Sequence, residues 1–99
     1  MAFIQIIDVS TSRYDELEAL SEKMRAERGT DTTVLRSTVT KDRDRPGHFL
    51  VIVEFESYES AMANSEHPAT QEFAGKMAEL CDAPPAFYNL DVLRSDTPA

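Results

Sequence analysis

The stretch His48-Phe49-Leu50-Val51-Ile52-Val53-Glu54-Phe55-Glu56 decides the fold. It is β-branched and aromatic, follows Pro46-Gly47 and precedes Ser57, so it reads as a strand. Alternation puts Phe49, Val51, Val53 and Phe55 on one face. Leu50 and Ile52 lie on the other, so this strand is apolar on both sides. A sheet with one face in water alternates apolar and polar residues instead.

Downstream, Ser57 caps a short helical piece, Tyr58 to Ala63. Asn64-Ser65-Glu66-His67 breaks it, and Pro68 suits the first position of a new helix. That helix runs to about Cys81, with Phe73, Met77 and Leu80 inward and a Glu72–Lys76 pair outward. Gly75 inside it costs about 1 kcal/mol relative to Ala, which a close approach of backbone to sheet would explain. Asp82-Ala83-Pro84-Pro85 ends the helix, Ala86 to Leu93 forms a fourth strand, and residues 94–99 read as a frayed tail.

Upstream, the charged loop Lys41 to Gly47 reads as a solvated hairpin turn back to a strand over Thr32 to Thr40. Before that, Tyr14, Leu17, Leu20 and Met24 recur at helical spacing. Ser12 with Asp15 gives a capping-box-like start, and Gly29 stops the helix after Arg25 and Arg28, cations suited to its C-terminal dipole. Phe3 to Val9 is the first strand.

The order is βαββαβ, which predicts one α+β domain over residues 1–99: a four-stranded antiparallel sheet with its helices on one face. The first strand repeats the two-faced pattern, with Ile4 and Ile6 opposite Phe3, Ile7 and Val9. The helices cover one face. The simplest cover for the other is the sheet of a second copy, so a homodimer through the sheet is expected.

Composition narrows the function. The 99 residues carry a formal charge of −8, from 18 acidic and 10 basic residues. Such a surface repels phosphate backbones and anionic membranes. The Met1-Ala2-Phe3-Ile4 start lacks a basic n-region and no apolar run is long enough to span a bilayer, so a cytoplasmic protein without membrane contact is expected. The single cysteine, Cys81, fits a reducing compartment and reads as a small buried hydrophobe. Gly29, Gly47 and Gly75 are too scattered for a phosphate-cradling loop. His48, His67 and Cys81 lie on three different elements, with no metal-ligand spacing, and no nucleophile elbow occurs. The same element order describes RNA-binding domains of the RRM type, but Arg45-Pro46-Gly47-His48-Phe49-Leu50 lacks their third-strand pattern. A regulatory module of the ACT type normally accompanies another domain.

Residues 3 to 93 resemble the dimeric α/β-barrel proteins, and within them the antibiotic-biosynthesis-monooxygenase-like group. The pointers are the Phe49-to-Phe55 strand running into Glu56-Ser57-Tyr58-Glu59-Ser60-Ala61, then His67-Pro68-Ala69-Thr70-Gln71-Glu72-Phe73. That group has a Glu-Ser-x-Glu-x-Ala helix start and a Ser-Pro-His-Phe-x-x-Phe restart. Here His67 stands at the Ser, Ala69 at the His and Thr70 at the first Phe. The resemblance implies a ferredoxin-like fold, two sheets pairing into a dimeric α/β barrel, and a pocket in each subunit between sheet and helices. The active-site Asn, Trp and His of the group's haem degraders would fall on Ile7, Asn64 and Ala74. None is kept, so haem breakdown is not expected.

The resemblance also frames the candidate residues. Gln5 shares the Phe3/Ile7 face, where the group places its pocket, and would otherwise make a dimer-face or edge hydrogen bond. Arg36 lies mid-strand, either at the pocket or in a surface ion pair. His67 precedes the restart and is the candidate catalytic proton shuttle, or else makes a local helix-start bond; His48 reads as solvated. Tyr88 and Asn89 point to opposite faces, so at most one lines a given pocket. Tyr14, Phe73 and Met77 would be apolar walls or plain core. The expected function is a cofactor-independent, monooxygenase-like enzyme acting on a small flat apolar or aromatic molecule. The alternative is a non-catalytic small-molecule-binding or accessory dimer of the same fold.

Overall fold

The central pair of strands organises the computed structural model, which describes residues 2–98. In chain order the elements are β1 (Phe3–Ser10), α1 (Tyr14–Arg28), β2 (Val34–Lys41), β3 (His48–Phe55), α2 (Tyr58–Glu66), α3 (Pro68–Leu80) and β4 (Ala86–Asp91). The sheet order is β2-β3-β1-β4, and every neighbouring pair is antiparallel. This is the ferredoxin-like arrangement, with the two most apolar strands in the middle.

Register fixes the faces. Phe3 pairs with Phe55, Gln5 with Val53, Ile7 with Val51 and Val9 with Phe49. Phe3, Val9, Phe49 and Phe55 are buried, so this set faces the helices. The opposite face carries Ile4, Ile6, Leu50 and Ile52, joined from β4 by Tyr88 beside Ile6 and Leu90 beside Ile4. Tyr88 and Leu90 remain 50% and 43% exposed in the single chain. The sheet is therefore apolar on both faces, with one face uncovered.

The buried core falls into two clusters rather than one. Val9, Leu17, Phe49 and Met77 fill one end of the sheet, under α1 and α3. Phe3, Phe55 and Ala61 fill the other, under α2. Gln5, Ile7, Val51 and Val53 occupy the middle of the same strands, between the two clusters.

Local chemistry departs from the sequence expectation at a few points. The entry to α1 is set by Thr11, not by a Ser12 capping box: the Thr11 hydroxyl donates to the Leu80 carbonyl (2.6 Å) and accepts from the Arg13 amide (2.9 Å). Ser12 instead donates to Asp82 (3.3 Å). The first of the two consecutive helices runs to Glu66, so the break is His67 alone. A Cβ on Gly75 would meet nothing within 4 Å, so no close approach accounts for that glycine. Gly47, by contrast, has φ +79 in the hairpin, where a side chain would be strained. The fourth strand ends at Asp91, leaving Leu93 outside it and exposed. Among the described residues, no helix is long and apolar enough to cross a membrane.

Candidate functional site

The space between the two core clusters is a cavity of about 540 Å³. Its floor is the helix-facing side of the sheet: Gln5 and Ile7 from β1, Val51 and Val53 from β3, and Phe87 from β4. Met24 of α1 and Phe73, Ala74 and Met77 of α3 form the opposite wall. These positions follow from helical spacing: Phe73 and Met77 are four apart on the inward face. The cavity lies between the cluster under α1 and α3, against which Ile7 packs, and the cluster under α2, against which Val53 packs.

The rim at the α1 end is polar. Arg28, in the last turn of α1, donates from Nε to the Asp31 carbonyl (2.6 Å), from Nη1 to Thr70 Oγ1 (2.9 Å) and from Nη2 to Asn64 Oδ1 (3.2 Å). Thr70 Oγ1 donates in turn to Asn64 Oδ1 (3.4 Å), closing a ring of bonds among α1, α2 and α3. Arg25, Asn64, Ser65, Thr70 and Gln71 also line this region.

Of the residues singled out from the sequence, Gln5, Phe73 and Met77 come together in the cavity. Gln5 donates from its amide to Asn89 Oδ1 at 3.1 Å, across the β1–β4 pair. Arg36 borders the cavity, but its guanidinium pairs with Glu54 at 3.0 Å, the ion pair that was its other reading.

Three candidates do not line it. Tyr88 pairs with Ile6 and lies on the outer face, since parity along β4 gives the helix side to Phe87 and Asn89. Tyr14 stacks on Phe49 with ring centroids 4.4 Å apart, at the end of the sheet that the larger cluster fills. Burial, and then its hydrogen bond to Glu18, hold that phenol above its ordinary pKa. His67 lines a neighbouring cleft of about 220 Å³ between α1 and α3, which shares Met24, Arg28 and Phe73 with the cavity but not His67 itself. Its Nδ1 accepts from the Ala69 amide (3.0 Å), so the neutral ring carries its proton on Nε2, which donates to Asp31 Oδ2 (3.0 Å). Both nitrogens are thus engaged in capping α3 and holding the loop after α1.

His48 is not free either: its Nδ1 lies 3.4 Å from Asp8, beside an Arg45–Asp8 bridge. Cys81 packs against the larger core cluster, and burial pushes its thiol pKa up. Among the described residues, no group of three His, Cys, Asp or Glu is placed to hold a metal ion.

Sequence reasoning missed Arg28, Thr70 and Met24 as site residues. From the sequence Arg28 is only a cation suited to a helix end; its place at the rim depends on where α2 and α3 cross α1.

The lining also limits the chemistry. Among the described residues it contains no His, Cys, Asp, Glu, Lys or Tyr; its ionisable side chains are all arginines, which stay charged and pass no protons. Such walls can bind, orient, exclude water and stabilise negative charge.

No protein-family model matches the chain, and no curated protein matches it in sequence. Its fold, however, recurs in solved structures. A presumed antibiotic biosynthesis monooxygenase from Caulobacter crescentus superposes with a TM-score of 0.80 at 12% identity, covering 94% of this chain and 91% of that one. A Mycobacterium tuberculosis protein superposes at 0.79 with 15% identity, covering 98% and 100%. A presumed antibiotic biosynthesis monooxygenase from Deinococcus radiodurans superposes at 0.78 with 15% identity, covering 98% of each chain. The chain thus has the fold of the antibiotic-biosynthesis-monooxygenase structures over nearly its whole length. Ile7, Asn64 and Ala74, where the resemblance puts the haem degraders' Asn, Trp and His, all line the cavity.

Proposed function

We propose that the cavity receives a small, flat, largely apolar molecule, and that the protein oxidises it as a cofactor-independent, monooxygenase-like enzyme. One observation carries this reading: a space of about 540 Å³ between sheet and helices, walled by Ile7, Val51, Val53, Phe73, Met77 and Phe87. That size falls within the range of small-molecule sites, and its apolar walls suit a planar ring system. The names of the structural neighbours support oxygenase chemistry at the level of the group. In such chemistry the substrate is an electron-rich aromatic or enol that gives an electron to dioxygen. The protein contributes a shaped, largely apolar space and fixed dipoles.

The second reading is a binding or accessory role without turnover. It is favoured by the lack of any acid–base side chain in the described lining. One experiment separates the two: melting curves with quinols and naphthoquinols, run beside an oxygen electrode. A saturable rise in melting temperature with oxygen uptake above the spontaneous rate supports the enzyme. A rise without uptake supports binding alone, and no rise with any compound sinks both.

The uncovered sheet face is read as a homodimer contact. Ile4, Ile6, Leu50, Ile52, Tyr88 and Leu90 form one apolar patch across β3, β1 and β4. A native mass of twice 11.1 kDa at micromolar concentration is expected, and a mass near 11.1 kDa would refute the pairing.

A further inference from the structure

We infer that the cavity selects molecules carrying an anionic oxygen group, a carboxylate or an ionised phenol or enol, on an apolar body, and that Arg28 receives that group. The inference rests on the reading that the cavity binds a small apolar molecule, and it adds the ligand's charge and orientation.

Charge distribution is the first argument. The chain holds 18 acidic residues against 10 basic ones, yet among the described residues no acidic side chain lines this cavity, while Arg25, Arg28 and Arg36 do. Carboxylates just outside the lining balance two of these arginines, so the uncompensated positive charge at the rim is that of Arg28, which also borders the neighbouring cleft lined by Glu27, Asp31 and Glu72.

The three arginines are not equivalent. Arg25 is bridged to Glu18 at 3.3 Å and Arg36 to Glu54 at 3.0 Å, so each has a counter-charge. Arg28 is held by neutral oxygens only: Thr70 Oγ1, Asn64 Oδ1 and the Asp31 carbonyl. Among the described residues no carboxylate oxygen lies within 4.0 Å of it; the nearby Asp31 carboxylate is 77% exposed and accepts a hydrogen bond from His67 instead. A half-buried guanidinium without an anion retains most of its charge for an incoming one.

Geometry is the second argument. Each nitrogen of Arg28 donates one bond to the protein, and each terminal nitrogen keeps a second N–H. The fork is therefore fixed in orientation before any ligand arrives, with donors left over to meet an oxygen anion. Met24, Phe73 and Phe87 line the same cavity and suit an apolar body. A ligand that enters already ionised also needs no base, and the described lining has none.

The test is calorimetric titration of the full chain at pH 7 with three probes of one ring system: 2-naphthoate, 2-naphthalenemethanol and 2-naphthylmethylammonium. The naphthoate is expected to bind at least roughly tenfold more tightly than the neutral alcohol, as charge-assisted bonds require. The ammonium is expected to bind weakest. Arg28→Gln should abolish the preference, so that naphthoate and alcohol bind the variant with equal affinity. Equal binding of acid and alcohol by the unaltered protein overturns this inference but leaves the apolar cavity reading standing. No saturable binding of any probe overturns both. The comparison within the unaltered protein decides the matter even if Arg28→Gln fails to fold.

Discussion

Arg28 Nη1 donates to Thr70 Oγ1 at 2.9 Å, a bond that ties the last turn of α1 to the first turn of α3 at the rim of the cavity. The hydroxyl fixes the guanidinium and links two residues 42 positions apart in sequence. Thr70→Val keeps the shape and removes the acceptor. A lost hydrogen bond to a charged donor costs about 1–3 kcal/mol. The melting temperature should therefore fall by about 4–8 °C for each kcal/mol lost, and Thr70→Ser should recover most of it. A Thr70→Val protein that melts with the wild type would show that the bond contributes nothing.

Gly75 is exposed in the middle of α3, and a methyl group there meets no neighbour within 4 Å. Its backbone is helical, without the positive φ of Gly29 and Gly47. Gly75→Ala should therefore stabilise the protein by about 1 kcal/mol, through the lower entropy of the unfolded chain. Urea unfolding at equilibrium measures this, and a loss of stability would point to an unseen contact at that surface.

Ile52 stands on the uncovered face of the sheet, opposite Ile6 and Thr38. A lysine there meets water in a single chain but apolar side chains in a sheet-to-sheet dimer. Ile52→Lys should give a folded protein of half the native mass, read by light scattering on an eluting peak and circular dichroism. A dimer that survives the substitution would place the contact elsewhere.

Cys81 is half-buried against Leu80 and the core, and both burial and the neighbouring Asp82 raise its thiol pKa. A raised pKa means less thiolate at a given pH, and the thiolate is the reactive form. Alkylation by iodoacetamide at pH 7.5 should be slower than for glutathione, and its rise with pH should come later. Faster reaction than glutathione would contradict the geometry around the sulfur.

Much of the fold is legible in the residues, because two-faced apolar strands and Pro68 at a helix start have few alternative readings. What escaped was set by tertiary contacts. Thr11 displaces Ser12 at the entry to α1 because its hydroxyl meets the Leu80 carbonyl, a bond across 69 residues of sequence. The site was half legible. Strand and helix periodicity gave the faces of Gln5, Phe73 and Met77, and the resemblance placed the pocket on those faces. Tyr88 needed the β1–β4 register, which pairs it with Ile6 on the far face. His67 needed both of its hydrogen bonds, and Arg28 needed the crossing of three helices.

The most direct test of the account is a methyl spectrum of protein labelled at the methionine methyls, titrated with 2-naphthoate. Met24 and Met77 line the cavity, whereas Met62 packs on the Phe3–Phe55 cluster outside it. The account predicts saturable shifts of the Met24 and Met77 methyls with Met62 unmoved. Shifts confined to Met62, or none at all up to millimolar ligand, would contradict a binding cavity between the sheet and the helices.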